Sequence, residues 1–165
     1  MESFFLTGSE ADLSPIPSKA IRQCLEDLRM VEKDPRYIVN MYAWHKKHHI
    51  RSTDTTRCSV CLGGARLARI IDDPDYSDVP NFGVVDFSKI VNETKQRYRI
   101  SSMDDFRCGH IAQGLHRFFR GKDFGYFREM IDPNHIIRVP EYSDDREGWY
   151  EGMEEVIQIL EKVGL

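Results

Sequence analysis

Apolar residues recur at helical spacing in three stretches of the chain. The stretches run from about Ser18 to Lys33, from Ser101 to about Gly121, and from Asp145 to Val163. Apolar residues three and four positions apart lie on one face of a helix. The pattern therefore predicts three amphipathic helices, with apolar stripes formed by Ile21, Cys24, Leu25, Leu28 and Val31, by Ile111, Ala112, Leu115, Phe118 and Phe119, and by Trp149, Met153, Val156, Ile157, Leu160 and Val163.

Residues near the ends of these stretches support the assignment. The run from Ser14 to Ser18 contains two prolines and is typical of a helix entrance with a serine N-cap. Asp34-Pro35 ends the first helix, because a residue before proline is pushed out of the helical region. The second helix opens with serines and an acidic first turn, and Gly109 allows a break within it. Gly164 suits the end of the third helix.

A segment rich in small residues, from Arg57 to Ile71, predicts a buried central helix. Gly63, Gly64 and Ala65 carry almost no side-chain bulk, so another backbone can approach them closely. We expect Thr55 or Thr56 to be the N-cap, which places Cys58 or Cys61 near the helix N-terminus, where the dipole favours a thiolate.

The remaining segments carry weaker signals. Residues 1–13 resemble a loosely held arm, 37–44 a short strand or extended connector, and 48–56 a loop. Residues 72–81 are an acidic surface loop without EF-hand ligand spacing, and helices are expected at 86–98 and 123–131, with an extended piece at 135–140. The predicted fold is mainly α: one compact domain, residues 14–165, of about four to five helices with at most small β pieces.

Composition narrows the class of protein. The 165 residues have a net charge of −4 and contain no run of eighteen apolar residues, so no membrane-spanning helix is expected. The N-terminus lacks the basic region of a secretory signal, which predicts a cytoplasmic protein. Acidic net charge disfavours a general nucleic-acid binder. Residues 1–70 hold 11 Lys and Arg against 8 Asp and Glu, whereas residues 71–165 hold 12 against 19.

The four cysteines allow two kinds of site. Cys58, Cys61, Cys108 and His110 would supply the ligands of a Cys₃His zinc site. Cys58 or Cys61 as nucleophile, with His45 or His110 as base and Asp54 to orient it, would supply a thiol enzyme. Buried, reduced thiols are the favoured interpretation, because both cysteine segments lead directly into apolar helices. We therefore assign no catalytic residue, no metal and no cofactor.

The basic stretch is the candidate contact surface. It comprises Trp44, His45, Lys46, Lys47 and Arg51, an expected exposed aromatic beside long cations. This composition is enriched at protein interfaces, and complementary charge speeds association. The same composition also serves single-stranded nucleic acids, which remains an alternative here.

Four motifs together resemble a group of small proteins of tailed bacteriophages. They are Ile16-Pro17-x-Lys19-Ala20-Ile21, Trp44-His45, Cys58-Ser59-Val60-Cys61-Leu62-Gly63-Gly64-Ala65 and Asp105-Phe106-Arg107-Cys108-Gly109. Proteins of this group carry a Trp-His, a Cys-x-x-Cys-x-x-Gly-Ala and a later Phe-Arg-x-Gly in the same order. The resemblance covers roughly residues 15–120, and the group has no settled activity.

The resemblance implies a non-enzymatic phage accessory protein in the cytosol of a bacterial host. Its expected role is to bind and modulate, by inhibition, a host protein or defence system. The alternatives are a metal- or thiol-dependent site on Cys58 and Cys61 with His45, and nucleic-acid contact through residues 44–51.

Overall fold

The computed structural model describes residues 16–75, 103–121, 131, 137 and 139–165, and only the backbone of residues 103–106. The described helices are α1 (Pro17–Glu32), α2 (Leu62–Ile71), α3 (Met103–Phe119) and α4 (Arg146–Lys162). The described strands are β1 (Tyr37–Val39), β2 (His45–Ile50) and β3 (Thr55–Val60). None of the helices in these ranges combines the length and the apolarity needed to cross a bilayer.

Hydrophobic burial accounts for the three periodic helices. The stripe predicted for α1 is at most 4% exposed, and the stripe of α3 is buried as well. In α4, Trp149, Met153, Ile157 and Leu160 are fully buried, and Asp145 caps the helix by accepting a hydrogen bond from the Gly148 amide at 3.0 Å. The spacing of apolar residues thus predicted the position and the inner face of these helices. Val163 is the exception: it was assigned to the stripe of α4, but it follows the last helical residue and is 39% exposed. The allowed break at Gly109 does not occur, because α3 continues through it.

The expected mainly α fold is wrong, because the described residues include a three-stranded mixed sheet. Its strand order is β1-β3-β2. β1 and β3 are parallel, with Tyr37 opposite Cys58, while β2 and β3 form an antiparallel hairpin with His45 opposite Val60. The architecture is therefore α+β. The stretch predicted as a loop, 48–56, contributes to both strands of the hairpin.

The central helix is shorter than predicted and begins later. Neither Thr55 nor Thr56 is its N-cap, since both belong to β3. Cys61 occupies that position instead, and its Sγ accepts a hydrogen bond from the Gly64 amide at 3.3 Å. Two β-branched threonines suit a strand as well as a cap, and pairing with β2 decides between the two.

The core lies where the helices meet one another and the sheet. Helix α1 packs against α2, α3 and α4, and α2 also packs against α3. Between α2 and α3 the small residues allow close backbone approach, as predicted: a Cβ placed on Gly63 would lie 2.2 Å from the carbonyl oxygen of Gly109. Several predictions concern segments outside the described residues: those for 1–13, 76–81, 86–98, 101–102, 123–130 and most of 135–138, and the serine cap expected at Ser14.

Candidate functional site

Trp44, the residue just before β2, packs the start of the hairpin against α2 and α3. Trp44 is only 3% exposed, and its ring centroid lies 5.7 Å from that of His110 on α3. Its backbone rests on Gly64, since a Cβ there would lie 1.7 Å from the Trp44 carbonyl oxygen. Trp44 is therefore not the exposed aromatic expected from the composition, and a partner cannot contact it in this conformation.

His45 is also buried, at the first position of β2. It is 0% exposed, and its Nδ1 lies 3.4 Å from the Sγ of Cys58, on the neighbouring strand. The register explains this contact, since β2 and β3 run antiparallel and place His45 and Cys58 two positions apart across the hairpin. Of the five residues proposed for partner contact, the first two thus belong to the interior.

The other three proposed contact residues lie at the surface. Lys46 and Lys47 are exposed on β2, and Arg51 is exposed in the turn that follows. Lys47 and Asp75 form a long ion pair of 3.9 Å. The side chains of both partners are largely solvated, and such pairs contribute little to stability. The two lysines and the arginine are thus presented to solvent by a hairpin whose base is buried.

The structure does not assemble the proposed four-ligand zinc site. Cys108 lies beside Cys24 rather than beside the Cys58 and Cys61 pair, with 3.9 Å between the two sulfur atoms. Among the residues that the structure describes, no group of three or more His, Cys, Asp or Glu side chains could hold a metal ion. Cys24 is fully buried, in agreement with its expected place in the core.

Burial makes Cys58 and Cys61 poor nucleophiles. Desolvation raises the pKa of each thiol to about 12, and backbone hydrogen bonds offset only part of that effect. The Cys61 thiol does lie at a helix N-terminus, as expected, but it serves as the N-cap of α2. A thiol enzyme needs a thiolate near neutral pH, so this geometry does not support the catalytic alternative.

We predict that Cys58 and Cys61 react slowly with iodoacetamide while the protein is folded. Compared with the same thiols in urea at about pH 8, the rate should fall about a thousandfold, because the raised pKa leaves few thiolates. The check is the alkylation rate of each cysteine by peptide mass spectrometry. Rapid alkylation of either residue in the native protein would restore the thiol-dependent alternative.

Sequence reasoning missed a buried polar side of α3. Gln113 is fully buried, and its Oε1 accepts a hydrogen bond from the Gly63 amide at 3.3 Å. His116, 3% exposed, accepts a hydrogen bond at Nε2 from Trp149 Nε1 at 2.9 Å. Gln113 and His116 lie on the same helix as a strong apolar stripe. In a sequence, only such a stripe marks the buried side of a helix, so polar residues on that side are overlooked. Their spacing of three positions was the only available signal.

Comparison with known proteins adds no relative. The chain matches no protein-family model, no curated protein and no solved structure.

Proposed function

We propose that this protein acts by binding another protein, and that the contact is made by the exposed cations of the β2-β3 hairpin. We call residues 45–57 the basic hairpin. The observation that carries the proposal is the exposure of Lys46, Lys47 and Arg51 on a hairpin whose base is held in the core. The partner protein contacts the basic hairpin through an acidic surface.

Charge supports this choice of partner. The basic hairpin has four cations, Lys46, Lys47, Arg51 and Arg57, and one carboxylate, Asp54, so its formal charge is +3 with neutral histidines. The whole chain is −4, which leaves −7 for the rest. A local patch of opposite sign orients the molecule as it approaches an acidic surface, and it increases the association rate.

The burial of Trp44 and His45, where the chain enters the hairpin, indicates that the contact surface is preformed. Trp44 and His45 are enclosed by α2, α3 and the sheet, so the exposed part of β2 is attached to the core at its first residues. A preformed binding element loses less conformational entropy on association than a flexible loop does. The arrangement suits recognition by a fixed strand rather than by a disordered segment.

The resemblance to phage proteins indicates where to look for the partner. It points to a protein of the bacterial host, in the host cytosol, whose activity this protein would inhibit. Nucleic acid is a weaker alternative, because the chain is acidic overall and Trp44 is buried, so that of the two aromatic residues of this stretch only Tyr42, which is 70% exposed, can stack on a base. The raised pKa values of Cys58 and Cys61 likewise weaken the thiol-dependent alternative.

The test is affinity capture from nuclease-treated host lysate, followed by binding measurements with the purified partner. We expect the triple variant Lys46→Glu, Lys47→Glu and Arg51→Glu to bind that partner at least tenfold more weakly, and wild-type binding to weaken as salt is raised. The variant should keep its fold, since exposed substitutions usually change stability by only about 0.5 kcal/mol each.

A matched variant controls for total charge. Lys19→Glu, Lys33→Glu and Lys162→Glu change the same number of charges at exposed positions on or next to helices α1 and α4. This control should bind like the wild type. Equal capture by both triple variants would place the contact elsewhere, and capture from untreated lysate but not from nuclease-treated lysate would indicate nucleic acid instead.

A further inference from the structure

Strand β2 lies at one edge of the sheet. The strand order β1-β3-β2 gives it a single neighbour, β3, among the residues that the structure describes. An edge strand presents backbone N–H and C=O groups on the side without a neighbour, and these groups can pair with a strand of another chain. We call that side of β2 the outer edge.

Hydrogen bonds on the other side of the sheet fix the direction of the backbone groups of β3. The Cys58 amide donates to the Arg36 carbonyl oxygen at 2.9 Å, so it points toward β1. The Val60 carbonyl oxygen accepts from the Asn40 amide at 2.8 Å and points the same way. Backbone groups alternate in direction along a strand, so those of Ser59, between these two residues, point toward β2.

The register of the hairpin then identifies the residues of the outer edge. Ser59 lies opposite Lys46, and the two form a hydrogen-bonded pair because Ser59 faces β2. The next residue, Lys47, therefore directs its N–H and C=O away from β3, and His49 does the same two positions later. Lys47 and His49 are both exposed. The outer edge thus offers two donors and two acceptors at the spacing that an added strand requires.

The charges beside the outer edge favour an acidic strand. Lys46 and Lys47 are both exposed and, being adjacent in a strand, project to opposite faces of the sheet. Opposite charges on neighbouring strands stabilise their pairing. The 3.9 Å ion pair of Lys47 with Asp75 is largely solvated, so it opposes such a contact only weakly. An added strand with two adjacent carboxylates would place one against each lysine.

The same lysines disfavour a second copy of this chain. Lysines on an edge strand keep two such edges from pairing with each other. Pairing of β2 with the β2 of another molecule would bring Lys46 and Lys47 of both copies into one short ladder, where like charges are destabilising. The outer edge therefore suits a strand of opposite charge.

We propose that the outer edge of β2 binds an extended acidic segment of the partner protein, which adds to the sheet as a further strand. Backbone hydrogen bonds to Lys47 and His49 hold the segment, and adjacent Asp or Glu side chains contact Lys46 and Lys47. This inference rests on the function proposed above and specifies how the partner is recognised.

Hydrogen exchange in the free protein, measured by NMR, tests whether the outer edge is open. We expect the amides of Lys47 and His49 to exchange roughly tenfold faster or more than those of Lys46 and His48, which face β3. Equally slow exchange of all four amides would mean that the outer edge is already paired, and the proposal would be wrong. Protection that appears only at high protein concentration would identify a second copy as the occupant and would also overturn it.

A peptide titration tests the chemistry of the added strand. The probe is acetyl-Thr-Val-Glu-Glu-Val-Thr-amide. One control peptide has Lys-Lys in place of Glu-Glu, and another has proline in place of both valines. We expect only the probe to bind and to slow exchange at Lys47 and His49, because the first control has the wrong charge and the second lacks N–H donors. Equal binding of the probe and the proline peptide, or no binding of the probe below a Kd of about 10 mM, would contradict strand addition.

His49→Pro and His49→Ala form a matched pair of variants. Both lose the imidazole and its 3.1 Å contact with Asp54, but only proline lacks the N–H at the outer edge. Proline is tolerated where the N–H of an edge strand faces solvent. We expect His49→Pro to bind the probe about tenfold more weakly than His49→Ala does, with unchanged amide signals in the helices. Equal affinity would overturn the proposal, and the proline peptide provides the same test if His49→Pro does not fold.

The two variants also separate this inference from the proposed function. Suppose that the charge-reversed triple variant loses the host protein while His49→Pro and His49→Ala bind it equally. The proposed function then stands, and strand addition is wrong. If the probe pairs with the outer edge but the triple variant captures the host protein as the wild type does, strand addition stands and the proposed function is wrong.

Discussion

Replacing Gly64 with alanine is expected to destabilise the protein by about 3 kcal/mol or more, and replacing it with leucine should prevent folding. The added Cβ would lie 1.7 Å from the carbonyl oxygen of Trp44 and 2.7 Å from its carbonyl carbon. Backbone atoms cannot rotate away as a side chain can, so the hairpin base must separate from α2. The gain in helix propensity, about 1 kcal/mol for glycine to alanine, is too small to compensate.

Gly152→Ala is the matched control, since it is also a helical glycine. There the nearest atoms are the side-chain methyl groups of Val139, 3.2 and 3.3 Å away, which can shift slightly. We expect a change within about 1 kcal/mol, because the gain in helix propensity opposes this mild crowding. Urea denaturation of both variants measures the difference. A Gly64→Ala protein as stable as the wild type would remove the close contact between Trp44 and α2 from the account of this fold.

The second large expected effect is a loss of stability in acid. Desolvation lowers the pKa of His110 and of His116 to about 3, well below the value of about 6.5 in an unfolded chain. The unfolded state therefore binds more protons between these pH values, and stability falls as pH decreases below 6.5. Each histidine contributes about 1.4 kcal/mol per pH unit, or about 5 kcal/mol for both at pH 4.5.

His116→Gln tests this effect against other acid-sensitive groups. Glutamine keeps an acceptor for the Trp149 indole but does not titrate. Carboxylates contribute equally to the pH dependence of stability in the wild type and in His116→Gln. Asp27 among them acts in the opposite direction, because burial raises its pKa. We expect the variant to lose about 2–3 kcal/mol less than the wild type between pH 7 and pH 4.5, measured by urea denaturation. The same pH dependence in both proteins would contradict a neutral, buried His116.

Sequence patterns predicted the elements whose stability comes from one apolar face. Helices α1 and α4 have an uninterrupted stripe, and both were placed within about one residue of their ends. The small residues of α2 were also correctly read as a site of close backbone approach, although the sequence could not show that Trp44 and Gly109 occupy it. The sequence pattern does not show which residues contact the glycines of α2, because Trp44 and Gly109 are distant from these glycines in the chain.

The hairpin was missed for a physical reason. Strand β2 reads His-Lys-Lys-His-His-Ile, without the alternation of apolar and polar residues that marks a half-buried strand. His45 is buried because β3 and the core surround it, not because its side chain is strongly apolar. For the same reason the burial of Trp44, Gln113 and His116 followed only from the assembled structure.

The packing of α1 against α2, α3 and α4 sets the order in which a nascent chain can complete its core. Helix α1 is synthesised first, but α4 ends about 130 residues later. At about 5–20 residues per second, the apolar face of α1 waits roughly 6–26 s for its last partner. Until then the part of this face that packs against α4 stays exposed, and chaperone capture and aggregation compete with folding.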